Sequence, residues 1–234
     1  MTVPVPHPYY PLDAVIPNYV PRELSTPAIL ATFTVASVFI LSAAKIIATT
    51  VNPRIKTSEL LTVLWFALCG GIHLILEGYY ALNWATLPSS QHLLAQLWKE
   101  YSLSDSRYLT SDAFMMIMES MTAWAWGPLS FLLAAFIVTD NPFRHPLQII
   151  ISTGQLYGNI LYYGICAFDF LVHGVEYSRP ENYYFYGYFV FLNSFWIVIP
   201  IALIASSIKA CGGAFAEAKK AKAVGMNGSA KKRS

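Results

Sequence analysis

The chain has 234 residues, of which 56% are hydrophobic and 12% charged, with a formal net charge of +2 and a mean hydropathy of +0.47. Soluble domains carry about a quarter charged residues, so this balance excludes a soluble domain and a nucleic-acid binder and points to an integral membrane protein. The length suits one compact all-helical bundle, and the 15% aromatic content suits interfacial belts or a cavity around a greasy ligand. Three cysteines, Cys69, Cys166 and Cys211, are odd in number and lack metal-like spacing, so they read as small apolar packing residues.

From Met1 to Thr26 the chain is rich in proline and tyrosine, with neither a basic start nor an apolar core. The expectation is an extended lead-in along the interface rather than a signal peptide, with His7 solvated or interfacial. A first apolar segment, 27–49, is uncharged until Lys45 and has the roughly twenty residues a bilayer requires. Pro27 suits its first turn. After a basic turn at Asn52 to Lys56, a second span over 59–84 holds G-G-I-H-L-I-L-E-G, residues 70–78. His73 and Glu77 are four apart there, on one face of a helix and within hydrogen-bonding reach.

The connection from Ala85 to Ser111 is the longest polar one and mixes aromatic with charged residues (Q-L-W-K-E-Y, then S-D-S-R-Y). It reads as an interfacial piece with Trp98 and Tyr101 at headgroup level. A third span, 112–138, carries Glu119 and Thr122, and Gly127-Pro128 predicts a kink in it. A fourth, 147–172, carries Gln155 and Asn159 on one face, read first as hydrogen-bonding glue between helices. A fifth, 183–209, has Asn193 and Trp196 on one face, with a bend expected at Pro200. The tail over 210–234 is alanine, glycine and lysine, and reads as disordered.

Charge bias orients the whole. The turn after the first span and the tail are basic, whereas the connections after spans two and four are acidic on balance, which predicts a cytosolic carboxyl terminus and a lumenal amino terminus. Five spans require the same. The closing K-K-R-S resembles a dilysine retrieval signal of the endoplasmic reticulum.

His73, Glu77, Glu119, Thr122, Gln155, Asn159 and Asn193 come from four predicted spans. Ionisable groups at membrane depth are costly, and their number favours one shared interior cavity. No nucleophile elbow, phosphate loop or set of histidine boxes is present, so covalent catalysis, nucleotide use and diiron chemistry lack their parts. No metal is expected either, since only one of the five histidines lies at depth. Proton transfer in an apolar, aromatic-lined pocket is the chemistry left. Trp196 adds a face able to stabilise a cation by about 2 kcal/mol when desolvated.

The ordered motifs H-P-Y, C-G-G-I-H-L-I-L-E-G, Q-L-W-K-E-Y, D-S-R-Y, M-E-S-M-T with W-G-P-L-S, Q-L-Y-G and F-V-F-L-N-S-F-W-I-V-I-P span nearly the whole chain. Together they resemble the emopamil-binding protein family of sterol Δ8,Δ7-isomerases. The resemblance implies five transmembrane helices around a membrane-accessible cavity, and a cofactor-free shift of a sterol double bond. It implies catalytic roles for His73, Glu77 and Glu119, and substrate-binding roles for Thr122, Asn193, Trp196, Tyr101 and Arg107. The alternative for Asp105 and Arg107 is that they brace their loop. It further implies residence in the endoplasmic reticulum membrane, cationic amphiphilic amines as inhibitors and a homodimer. Two other readings stay open: a sterol- or amine-binding protein without turnover, and an enzyme of the same fold doing other carbocation chemistry.

Overall fold

A computed structural model describes the backbone of residues 6–231 and the side chains of residues 6–223. The first five residues of the lead-in and the last three of the K-K-R-S signal lie outside the described residues. All regular structure described is helical. Helix α1, Thr26–Val51, begins with Pro27 in its first turn, where the missing N–H costs nothing. Helix α2, Thr57–Asn83, and helix α4, Ala113–Val138, flank a loop that contains the short α3, Leu93–Tyr101. Helix α5, Arg144–Phe168, extends through a wide turn at Asp169–His173. A wide-turned segment, Tyr183–Leu192, leads into α6, Asn193–Lys231.

Successive long helices alternate in direction. At one end, Asn52 Nδ2 after α1 donates to the Val138 carbonyl at the end of α4 (3.2 Å), and Arg144 at the start of α5 bonds Glu59 at the start of α2 (2.9 Å). At the other end, the lead-in and the α2–α4 loop cover the bundle. Helix α2 packs between α1 and α4, and α5 lies against both α4 and α6. Most of α1 faces outward, with Phe39 73% and Val35 68% exposed, as suits a helix whose solvent is lipid.

Among the described residues four helices are long and apolar enough to cross a membrane: Thr26–Val51, Thr57–Asn83, Ala113–Val138 and Tyr183–Ala223. Helix α5 is 25 residues long but more polar. Its Gln148, Ser152, Gln155 and Asn159 recur at spacings of three and four, and all are buried against neighbouring helices.

Several local expectations are corrected. The α2–α4 loop is no interfacial skirt: residues 102–109 are all buried, and Trp98 is 7% exposed in an aromatic cluster with Tyr80, Tyr101 and Tyr108. The lead-in packs onto that loop through Tyr9, Ile16 and Tyr19. His7 is half-buried, its Nε2 2.7 Å from the Ala14 carbonyl and its ring against Tyr9 and Tyr19. Beyond Lys209 the helix runs on to Lys231 instead of dissolving, because A-E-A-K-K-A-K-A is built from strong helix formers. Pro200 sits within that helix. Pro128 lies two residues after a wide turn, Thr122–Trp126.

Candidate active site

Two π-type turns face each other across α2 and α4, Ile72–Glu77 and Thr122–Trp126. Each closes with a five-residue hydrogen bond, Gly78 N–H to the His73 carbonyl and Gly127 N–H to the Thr122 carbonyl. Such turns leave a backbone carbonyl without its usual helical partner, and buried carbonyls need one. From the loop, Trp98 donates through Nε1 to the Leu76 carbonyl of the first turn at 2.9 Å. Gly127 permits the close approach of α4, since a Cβ there would lie 2.8 Å from Leu74 Cγ and 3.3 Å from His73 Cβ.

The first turn carries His73 and Glu77, the anticipated pair. His73 is 2% exposed, and its Nδ1 lies 2.6 Å from Glu77 Oε2. Glu119, 4% exposed on α4, has its carboxyl near that of Glu77. Thr122 donates to the backbone carbonyl of Glu119 (2.9 Å), not to its carboxyl.

Two partners of this cluster were not singled out as site residues from sequence. Tyr108 donates its hydroxyl to Glu119 Oε1 at 2.7 Å. Burial and then the Glu119 carboxylate push that hydroxyl well above its ordinary pKa, so it remains a donor. Gln155 on α5 reaches His73, with Nε2 3.4 Å from the imidazole Nε2. The signal for Tyr108 was its place in D-S-R-Y beside Arg107; for Gln155 it was an amide at membrane depth.

The remaining predicted residues form a second group. Tyr101 and Asn193 bond each other, Asn193 Nδ2 to Tyr101 Oη at 2.9 Å, and the Tyr101 ring packs on that of Tyr108 at 5.5 Å. Asn159 donates to the Asn193 carbonyl (2.7 Å), a helix-joining role. Trp196 packs at 5.3 Å, its ring tilted by 56°, against Trp65, which precedes His73 by eight residues. That is about 12 Å along a helix axis, so the tryptophan pair flanks the acidic cluster from a distance. Arg107 is turned away. Its Nη2 lies 2.7 Å from Asp105 Oδ2, and its guanidinium sits 5.1 Å from the ring centres of Tyr162 and Tyr177. Burial alone would lower the Arg107 pKa, but the Asp105 carboxylate raises it, so the ion pair is permanent and braces the loop. Among the described residues no group of three or more His, Cys, Asp and Glu side chains has a metal-binding arrangement.

The family description EXPERA (EXPanded EBP superfamily) matches residues 93–207, which includes Tyr108, Glu119 and Gln155 but begins after His73 and Glu77. The chain is 42% identical over 214 residues to the 3-beta-hydroxysteroid-Delta(8),Delta(7)-isomerase of Mus musculus, covering 89% of each chain. Identity to the enzyme of the same name is 40% over 204 residues in Rattus norvegicus, covering 87% of each chain. In Cavia porcellus it is 38% over 209 residues, covering 89% of this chain and 90% of that one. A buried His–Glu–Glu cluster at membrane depth, together with these end-to-end likenesses, establishes the lineage: the chain belongs to the EXPERA superfamily and, within it, to the family of the 3-beta-hydroxysteroid-Delta(8),Delta(7)-isomerases.

Proposed function

We propose that this protein is a sterol isomerase that moves a ring double bond from between carbons 8 and 9 to between carbons 7 and 8. The observation that carries the reading is the buried meeting of His73, Glu77 and Glu119, an acid and base set with no accompanying nucleophile. One of His73 and Glu119 delivers a proton to carbon 9, leaving the cation at carbon 8. The other removes a proton from carbon 7, and the released electron pair becomes the new double bond. Glu77 orients His73 and balances its charge. Tyr108 holds the Glu119 carboxyl, and the Trp65–Trp196 pair walls the apolar cavity about two helical turns from His73. Tyr101 and Asn193, bonded to each other and next to Tyr108, position the sterol with Thr122.

In this reading α5 is a fifth span whose polar face is turned inward, and the five spans enclose a cavity that the sterol enters from the lipid. Cationic amphiphilic amines inhibit by placing an ammonium group against Glu77 and Glu119, where the cation would form. The protein resides in the endoplasmic reticulum membrane with its carboxyl terminus cytosolic, and protease protection of terminal tags tests this. A homodimer follows from the family resemblance, and crosslinking in mild detergent tests it. The main experiment feeds a Δ8 sterol to microsomes from a strain that lacks its own isomerase and expresses this chain. Δ7 sterol is expected; its absence overturns the proposal.

A further inference from the structure

His73 meets polar side chains at both ring nitrogens, and they differ in kind. Nδ1 faces Glu77 Oε2 at 2.6 Å, whereas Nε2 faces the neutral amide of Gln155 at 3.4 Å. From α4, Glu119 lies beside Glu77, and Tyr108 of the loop bonds Glu119. Gln155 is thus the polar group that α5 presents to this imidazole. It is 5% exposed, and while its Nε2 faces His73 its Oε1 is buried with no hydrogen-bond partner. An unpartnered buried oxygen is costly unless it finds a donor at some stage of the working cycle.

The close approach of α5 is built in. A Cβ on the neighbouring Gly154 would lie 2.4 Å from Trp126 Cζ2 and 2.7 Å from Cε2, so only glycine lets α5 come this near to α4. Trp126 closes the wide turn opposite His73. The seat of Gln155 is therefore fixed by the same turn that shapes the site.

We propose that Gln155 is a positioning residue for the isomerisation, whose amide follows the proton on His73 by rotating about its terminal bond. When Nε2 is bare, the Gln155 amide N–H donates to it and Nδ1–H donates to Glu77. When the ring carries both protons, the turned amide accepts from Nε2–H through Oε1. Both protonation states keep a partner without movement of the backbone, and no net charge is added beside Glu77. An acidic residue at this position would trap the imidazolium, and an aliphatic one would leave Nε2 alone in both states.

The inference rests on the isomerase reading, and its test separates the two. Purified wild type, Gln155→Met and Gln155→Glu, each first shown to be monodisperse, are compared for Δ8 sterol turnover and by ¹⁵N NMR of labelled histidine. His73 is assigned by loss of its signals in His73→Asn. For Gln155→Met, kcat is expected to fall about ten- to hundredfold, with KM changed by less than about threefold. The pH midpoint of kcat should move in opposite directions in the Met and Glu variants, by about half a unit or more. The His73 Nε2 resonance should shift in both. Unchanged His73 resonances in Gln155→Met, or a kcat within about twofold of wild type, overturn the role of Gln155. If wild type itself gives no Δ7 sterol the isomerase reading fails, and the NMR comparison still decides whether Gln155 serves His73.

Discussion

Tyr108 places its hydroxyl 2.7 Å from Glu119 Oε1 while its ring packs between Trp98, Tyr80 and Tyr101. A Tyr108→Phe exchange keeps that packing and deletes one donor to a buried carboxyl. Such a loss costs about 1–3 kcal/mol, so kcat for the Δ8 sterol is expected to fall about ten- to hundredfold while thermal stability changes little. By contrast, Arg107→Ala leaves Asp105 as an uncompensated buried charge and is expected to destabilise the fold by about 3–5 kcal/mol, visible as a lowered unfolding temperature in detergent. His73, Glu77 and Glu119 were legible in the sequence because ionisable groups stand out in apolar runs. Tyr108 was not, because nothing in S-D-S-R-Y tells which of its side chains turns inward. Gln155 was visible as an amide at depth, but periodicity gives a face and not the atom that it meets.

At the scale of elements, the site depends on two wide turns that local sequence hardly announces. I-H-L-I-L-E would continue an ordinary helix, and the wide turn there is stabilised from outside, by Trp98 Nε1 on the Leu76 carbonyl and by the close seat of Gly127. Trp98→Phe is expected to cost about 1 kcal/mol by deleting that buried hydrogen bond, and to lower kcat by disturbing His73 and Glu77. Gly154→Ala sets a Cβ against the Trp126 ring at 2.4 Å and should destabilise by about 1–3 kcal/mol, measured by thermal unfolding. Helices α1, α2 and α4 coincide with apolar runs visible in composition, whereas α6 runs well past residue 209. Helix α5 was read as a span, yet its polar residues keep it out of the four helices apolar enough to cross a membrane, because they answer to neighbours rather than to lipid. The loop was misread because hydropathy reports what a segment is made of, not what covers it.

Across the whole molecule, the lead-in and the α2–α4 loop form one cap over the end of the bundle nearest Tyr108. Lys99, fully buried, pins them together by donating through Nζ to the carbonyls of Val20 (2.8 Å) and Ser90 (2.7 Å), and Tyr9 donates to the Lys99 carbonyl. Arg22 from the lead-in pairs with buried Glu100. Burial lowers the Lys99 pKa to about 8, against about 10.4 for a free lysine. A depressed lysine pKa means that the unfolded chain binds more protons between those values, so stability rises with pH from about 8 to about 10 and the penalty is fully present below 8. In thermal unfolding, wild type should gain on Lys99→Met over that window; a constant gap between the two would remove Lys99 from the account. The central claim, proton addition at one carbon and removal at another by buried groups of this chain, is tested most directly by turnover in heavy water. Purified protein given a Δ8 sterol in D2O is expected to yield Δ7 sterol carrying one deuterium at carbon 9, with Glu119→Ala yielding almost none. Δ7 product without deuterium at carbon 9, or equal turnover by Glu119→Ala, would contradict it.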